Sequence, residues 1–471
     1  MMALQPIPPI EMNMMTVTTR GRTHGRGPVA ICATWFPVGL AVALSALFGA
    51  VAADSRWLAA LGGYVVRHGS PDFVPYASAP SHGWQNVPVL GELVFHSLEV
   101  LAGNRGLLVA QVIAVAVAFS LLAVDARRTG ASDSSAVLVL LLLVPATLAA
   151  LADIRSQLFS LALFPLLVLL LRAEARRPSR RIWLLTPLVA VWSNLHGAVL
   201  VGLAVAALYL VLDRARREPR VALGVLGASA VALFATPALW HTGSYYDGVF
   251  GSEPARRGVG LWATLSLGSG LDLAFVVCAL LFAAAALRGR PALWELAALV
   301  GLAALTVHVA RSGVWFAFFV ATPAAAGIGR SAVSRTRLAL PALVVLAGLA
   351  VLGIVQGPQR AGAGHALLRR ALTAAAGTPI LAEDQLAEQV ALAGGRIWIG
   401  NPIDAFRRRD QRAYVDWLQG EPAGDAALLH APHAVLVHPG SPAQRRLAQR
   451  GVLREEARDA DAVLYVRPTH G

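Results

Sequence analysis

Long apolar runs separated by short polar segments dominate the chain. After a polar start, residues 28–53 are almost uninterruptedly apolar, which is long enough to span a bilayer core. Ten further apolar runs follow, at about 105–124, 134–152, 156–171, 182–193, 198–212, 221–239, 272–287, 295–310, 315–329 and 338–355. The pattern predicts an all-α polytopic membrane bundle with about 11 transmembrane helices.

Arginine clusters between the apolar runs indicate the direction of each span. With the amino terminus inside, eleven spans would place every cluster in the cytoplasm, as the positive-inside rule requires. The clusters are Arg127–Arg128, Arg172 to Arg181, Arg214 to Arg220, Arg288 with Arg290, and Arg330 to Arg337. We therefore expect residues 1–28 to form a cytoplasmic tail and residues 29–355 to form the transmembrane domain of a multi-pass protein in a bacterial plasma membrane.

Composition supports a membrane protein and argues against a nucleic-acid partner. The chain is 56% hydrophobic and only 14% charged, whereas soluble domains are about a quarter charged. Many of the arginines behind the formal net charge of +13 fall in short clusters between the long apolar runs, which is typical of membrane topology. The two cysteines, Cys32 and Cys278, both lie in apolar runs, so neither a disulfide framework nor a cysteine metal site is expected.

Three features interrupt this pattern on the side predicted to be external. Segments 54–104 and 240–271 are long enough to form external loops. In the first of these, apolar residues recur at helical spacing behind Asp54, which predicts a short amphipathic helix along the membrane surface. The third feature is the polar break Asn194-Leu-His196-Gly between two short apolar runs, which is either a tight external turn or a broken-helix site.

The composition changes after Ile354, where a Gly-rich linker precedes a mixed polar and apolar segment. We expect residues 356–471 to form a small extracytoplasmic α/β domain. Predicted strands lie at 379–382, 396–399, 434–438 and 462–466, and predicted helices lie near 384–393, 408–419 and 442–450.

Ionisable residues near the outer ends of spans are the candidates for chemistry, because such groups are costly at membrane depth. They are Asp54, Glu92, Asp153, Arg155, His196, His308 and Arg311. Asp54 is placed to act as a general base, because partial burial raises a carboxyl pKa toward the working range, and the alternative is a plain helix N-cap. Arg155 and Arg311 suit a lipid phosphate, and the alternatives are snorkelling or pairing with Asp153. For His196 the alternative is an ordinary turn histidine.

Three motifs and the order of the elements resemble the GT-C superfamily of membrane glycosyltransferases, which use polyprenyl-phosphate sugars. Within it, the chain resembles a group of bacterial polytopic proteins over nearly its whole length. The motifs are Asp54-Ser-Arg-Trp57 followed by Val65-Val-Arg-His-Gly69, Arg155-Ser-Gln157-Leu-Phe159-Ser160, and Trp192-Ser-Asn194-Leu-His196-Gly197. The chain departs from the group in the first loop, where Ala52 replaces an expected acid and only Glu92 remains of a later acidic motif.

The resemblance implies transfer of a sugar from a lipid-linked donor to an external lipid, glycan or protein acceptor. Asp54 would be the catalytic base, and the substrate would be bound by Glu92, Arg155, Gln157, Asn194, His196 and Arg311. No cofactor is implied, and a divalent metal stays open, although the lost acid removes the easiest place to hold one. The rival hypotheses are a diverged, non-catalytic protein that binds a partner or glycan in envelope assembly and, third, a transporter.

Overall fold

The computed structural model describes residues 33–51, 54–81, 83–329, 340–359, 362–431 and 433–468. The predicted cytoplasmic tail, Ala52, Cys32 and the arginine cluster 330–337 lie outside the described residues. Up to residue 356 the helices are α1 (Trp35–Phe48), α2 (Ser55–His68), α3 (Val89–Arg128), α4 (Asp133–Ala146), α5 (Leu148–Ala152), α6 (Gln157–Arg176), α7 (Leu185–Ser193), α8 (Val199–Tyr209), α9 (Ala215–Arg217), α10 (Pro219–Ala232), α11 (Thr242–Gly251), α12 (Glu253–Arg257), α13 (Gly270–Arg288), α14 (Leu293–His308), α15 (Gly313–Ile328) and α16 (Leu340–Gln356).

A helix occupies each of the eleven apolar runs, which confirms the helical bundle. By length and composition α3, α6 and α13 can cross a membrane, and α1, α4, α10, α14 and α16 are shorter apolar helices. The number of crossings stays the sequence-based prediction of eleven. One boundary was wrong: the segment 134–152 is two helices, because the chain breaks at Thr147 between α4 and α5.

The first external loop is more helical than the sequence indicated. α3 already begins at Val89 and changes direction at Gly103 (φ 56, ψ −148), so that its second part coincides with the predicted span from residue 105. α2 is the expected amphipathic helix, but residues 55–63 are buried in protein. Leu58 packs with α3 residues, whereas Trp57 and Leu61 enter the core of the C-terminal domain. This half of α2 therefore packs against protein, and its position along the membrane surface stays a prediction.

Two of the arginines assigned to cytoplasmic loops are buried in the bundle. Arg172 is 3% exposed and pairs with Asp125 at 2.5 Å and Glu295 at 2.9 Å. Arg214 is 2% exposed and pairs with Glu174 at 3.3 Å. Burying a guanidinium is costly unless carboxylates neutralise it. The Arg172 pairs therefore link α3, α6 and α14, and the Arg214 pair links α6 to the segment between α8 and α9.

The C-terminal domain contains the small α/β fold that the sequence predicted. Its helices are α17 (His365–Ala375), α18 (Asp384–Leu392), α19 (Arg408–Leu418) and α20 (Pro442–Arg450). A four-stranded sheet has the order β3 (Leu381–Ala382), β4 (Ala434–Val437), β6 (Val463–Val466) and β5 (Arg454–Arg458). α17 and β5 were not predicted, and the predicted strand 396–399 forms only isolated bridges.

The first loop joins this sheet and fixes the C-terminal domain against the bundle. Ile397 bridges Ile380 on one side and Ala77 of the first loop on the other. The loop side chains Trp57 and Trp84 lie in the same apolar core as the sheet. The surface between the domain and α2 is therefore built by residues more than 300 positions apart, and it carries the candidate site.

Candidate active site

Asp54 lies directly before α2, where two short parallel strands meet. β1 (Ala50–Val51) pairs with β2 (Asp153–Ile154), so the chain leaves both strands in the same direction. Ser55 donates a hydrogen bond from Oγ to the carbonyl oxygen of Ile154. The residues that follow the strands, Asp54 and Arg155, are therefore held near each other at one end of the bundle.

The side chain of Asp54 does not cap α2. Its backbone is in the left-handed region (φ 78, ψ −26), and the carboxylate makes no capping hydrogen bond. Asn401 Nδ2 donates to Asp54 Oδ1, and the Asp54 backbone N–H donates to Glu388 Oε1 at 2.8 Å. The N-cap interpretation of Asp54 is therefore wrong, and its carboxylate contacts the C-terminal domain.

Other carboxyl groups of the C-terminal domain lie close enough to Asp54 to feel its charge. Burial raises the pKa of Asp404 to about 6, and the charge of Asp54 adds to this rise. Burial also raises the pKa of Asp384, against the opposing effect of His438. This face of the C-terminal domain thus places further acids near Asp54.

Two guanidinium groups form the positively charged side of the site. Arg155 is 8% exposed and donates from Nε to Gln157 Oε1 at 2.9 Å. Arg311 lies in the turn between α14 and α15, with its Cζ 4.5 Å from the centre of the Trp262 ring. Burial, followed by the charge of Arg155, lowers the pKa of Arg311 to about 10, whereas Asp54 and Tyr245 oppose this shift. An anion bound between two neighbouring cations would offset the repulsion between them.

His196 lies beside these two arginines and adds a neutral hydrogen-bond donor to the site. Trp192 Nε1 donates to Ser160 Oγ at 2.7 Å, and Ser160 Oγ lies 2.7 Å from His196 Nδ1. The Ala198 backbone N–H also donates to Nδ1, at 3.4 Å, so Nδ1 is the acceptor, the Ser160 hydroxyl donates to it, and the imidazole proton lies on Nε2. Burial and the charges of Arg155 and Arg311 lower the pKa of His196 to about 3. The ring is therefore uncharged at physiological pH.

We expect this histidine to make folding stability depend on pH. The unfolded histidine binds a proton below about pH 6.5, whereas the folded one stays neutral down to about pH 3. The unfolded state thus binds more protons, and the wild type loses stability as the pH falls below 6.5. Between pH 7.5 and 5 this loss should exceed that of His196→Asn by on the order of 1–2 kcal/mol.

Thermal unfolding of both proteins in detergent at the two pH values measures this difference. The exposed His433, replaced in the same way, is the matched control and should leave the pH dependence of the wild type unchanged. Equal pH dependence in wild type and His196→Asn would contradict a neutral, buried ring.

Glu92 and Asn194 lie at the same end of the bundle, but their polar atoms serve neighbouring segments. Glu92 is 1% exposed and accepts a hydrogen bond from Asn86 Nδ2 at 2.8 Å. Asn194 Nδ2 donates to the carbonyl oxygens of Ala190 and Ala235 at 2.8 and 2.6 Å. The backbone carbonyl oxygen of Asn194 also accepts a hydrogen bond from the backbone N–H of Gly91 in α3. These contacts hold the break after α7 as a turn at the end of the bundle that carries Asp54.

A cavity of about 90 Å³ opens beside Arg311. It is lined by the junction of α4 and α5, by the beginning of α13 with Asp272, and by the beginning of α15. Its volume corresponds to about three water molecules.

Among the described residues, no group of three or more His, Cys, Asp and Glu side chains could hold a metal ion.

Known proteins were compared with the chain by sequence and by structure. No family model and no curated protein matches it by sequence. In structure, it is similar to the arabinofuranosyltransferase AftD from Mycobacteria, with a TM-score of 0.55, 16% identity, and coverage of 93% of this chain and 42% of AftD. It is also similar to ArnT from Cupriavidus metallidurans in the apo state, with a TM-score of 0.54, 14% identity, and coverage of 91% and 96%.

A second ArnT structure, bound to undecaprenyl phosphate, matches with a TM-score of 0.51 and 13% identity over 92% of this chain and 97% of that one. Both neighbours are GT-C membrane proteins. The chain has the GT-C fold. It is therefore a multi-pass membrane protein, and it spans less than half the length of AftD.

The GT-C bundle brings together Asp54, Arg155, His196 and Arg311, which sequence reasoning had selected. The C-terminal domain adds Glu388, Asn401 and Asp404, which sequence reasoning missed. Only the Asn-Pro dipeptide at 401 gave a local signal, and it indicates a turn without indicating what the turn contacts. These three residues belong to the C-terminal domain, whose sequence pattern predicted only a small α/β fold and no site residue.

Proposed function

We propose that this GT-C protein transfers a sugar from a polyprenyl-phosphate donor to a hydroxyl group of an extracytoplasmic lipid, glycan or protein. The observation that carries the proposal is the grouping of one carboxylate, two guanidinium groups and a neutral imidazole donor at one end of the bundle. The likeness of the fold to AftD and to ArnT bound to undecaprenyl phosphate supports the choice of donor.

The reaction needs a proton acceptor on one side of the anomeric carbon and charge stabilisation on the other. Asp54 would accept the proton of the acceptor hydroxyl, and the resulting oxygen would form the new bond to the anomeric carbon. The bond from that carbon to the phosphate oxygen breaks, and its electron pair leaves with the polyprenyl phosphate. Arg155 and Arg311 stabilise this charge, and His196 can add a neutral N–H from Nε2.

The direction of the chain in the membrane follows from the arginine clusters. With the amino terminus in the cytoplasm, Asp54 and the C-terminal domain face the outside of the plasma membrane. A lipid-linked donor would present its phosphate at the membrane surface there. The acceptor would then reach the site from this external face, where the protein also contacts membrane lipids.

Transfer of radiolabelled sugar tests the proposal. Membranes that contain the wild-type protein are incubated with polyprenyl-phosphate pentoses and hexoses, and incorporation is compared with that in membranes lacking the protein. Incorporation above this background from at least one donor supports the proposal. Background incorporation from the complete panel would favour the non-catalytic, partner-binding hypothesis.

A further inference from the structure

The beginning of α2 is an unusual place for a catalytic carboxylate. The first backbone N–H groups of a helix have no partner within the helix, and an Asp at the N-cap normally accepts from one of them. Such a carboxylate is occupied by its own helix. Asp54 stands at this position, yet its side chain makes no capping hydrogen bond.

Glu388 of the C-terminal domain takes the capping role instead. It is 1% exposed, it lies in α18, and α18 packs against α2. Its Oε1 accepts from the Asp54 backbone N–H at 2.8 Å, which is one of these first N–H groups. Burial and the charge of Asp54 raise the pKa of Glu388 to about 8, so it accepts mainly as a neutral carboxyl group. The first N–H of α2 is thus capped by a residue 334 positions away.

The carboxylate of Asp54 is held from a second direction. Asn401 precedes the short turn Ile403–Ala405 and donates from Nδ2 to Asp54 Oδ1. An amide donor fixes one oxygen of a carboxylate and leaves the other oxygen available to accept a proton. The left-handed backbone of Asp54, which is uncommon for a residue other than glycine, is consistent with a side chain turned away from its own helix.

We propose that the C-terminal domain positions the catalytic carboxylate: Glu388 caps the first N–H of α2 and so fixes the Asp54 backbone, and Asn401 orients the Asp54 side chain. The catalytic role of Asp54 rests on the proposed function. Neither Glu388 nor Asn401 contacts the substrate in this scheme, so both are positioning residues. Without Glu388, the Asp54 backbone would lose this contact, and its carboxylate would move relative to the acceptor.

Kinetics of the full-length protein in detergent test the positioning role. For a polyprenyl-phosphate sugar that supports transfer by the wild type, Glu388→Ala and Asn401→Ala should each lower kcat by about 10- to 100-fold, because small displacements of a reacting group have effects of this size. The KM for the donor should change less than about twofold, because neither residue contacts the donor phosphate. Glu388→Gln keeps an acceptor oxygen and should recover most of kcat.

The control is Glu421→Gln, which changes an exposed carboxylate of the same domain and should leave kcat and KM unchanged. Unchanged kcat in both Glu388→Ala and Asn401→Ala would overturn the proposal. An increase of KM alone would also overturn it, because it would place these residues in substrate binding.

Hydrogen exchange provides a second measurement that does not depend on activity. The backbone amide of Asp54, which donates to Glu388, should exchange about 5- to 30-fold faster in Glu388→Ala, the factor for a lost cap of about 1–2 kcal/mol. Exchange there should stay at the wild-type rate in Glu388→Gln and Asn401→Ala. Unchanged exchange in Glu388→Ala would disprove the cap even if no donor supports transfer, and it therefore separates this inference from the proposed function.

Faster exchange across the whole C-terminal domain in Glu388→Ala would mean that the domain has come loose from the bundle. In that case Asn401→Ala decides: a fall in its kcat with wild-type exchange supports positioning, and a wild-type kcat rejects it.

Discussion

Asp54→Asn is expected to lower sugar transfer by about 10²- to 10⁴-fold, the contribution of a positioned general base. Asparagine has nearly the same shape and keeps an oxygen that can accept the hydrogen bond from Asn401 Nδ2. The backbone N–H that Glu388 accepts is also unchanged. The substitution therefore removes the ability to take a proton while the surrounding contacts remain.

Initial rates of transfer from a polyprenyl-phosphate sugar measure this effect, with kcat and the donor KM determined separately. The matched control is Asp72→Asn, an exposed acid of the same external loop, which should transfer at the wild-type rate. Transfer by Asp54→Asn within a few-fold of the wild type would exclude Asp54 as the base. The next carboxyl group to replace would then be Asp404, whose raised pKa of about 6 also suits a proton acceptor.

Arg311→Gln is expected to lower transfer by about 10²- to 10³-fold, the effect of removing one preorganised donor from a developing negative charge. The guanidinium lies over the Trp262 ring and beside Arg155, so an anion placed between the two cations would contact both. Arg311→Lys should recover little activity, because an ammonium group cannot form the paired, planar contacts of a guanidinium with a phosphate.

A double-mutant cycle decides whether the two arginines act on one phosphate. Arg155→Gln and Arg311→Gln are measured singly and together, with the exposed Arg370→Gln as the control. Groups that stabilise the same charge should be non-additive, with the double variant losing less than the product of the two single losses. Strictly multiplicative losses would mean that the two arginines act on separate charges.

Local signals in the sequence were sufficient for the bundle and for half of the site. Apolar runs located the eleven helical segments because a membrane span needs about 20 apolar residues in succession. Asp54, Arg155, His196 and Arg311 were selected for a related reason: an ionisable group near the end of an apolar run is costly, so it attracts notice without any knowledge of its partners.

The roles of individual charges needed the tertiary structure. Arg172 and Arg311 look alike in sequence, as cations near the ends of apolar runs, and each lies over an aromatic ring. Arg172 is paired with two carboxylates from other helices, the buried Asp125 and the half-buried Glu295, whereas Arg311 has the cation Arg155 beside it. Only the distances between helices distinguish a structural ion pair from a cation placed to meet an anion.

By itself, therefore, the sequence determined the helical bundle, the small α/β domain at the C-terminal end, and the acid at the start of α2, because hydrophobic periodicity and the cost of charge near apolar runs act locally. Tertiary structure decided which residue caps α2 and which one holds its acid. Glu388 and Asn401 reach Asp54 across 334 and 347 residues, and the C-terminal domain carries both to the site by docking on the first loop. No local pattern encodes contacts of this kind, because they arise only when segments far apart in the sequence pack against each other.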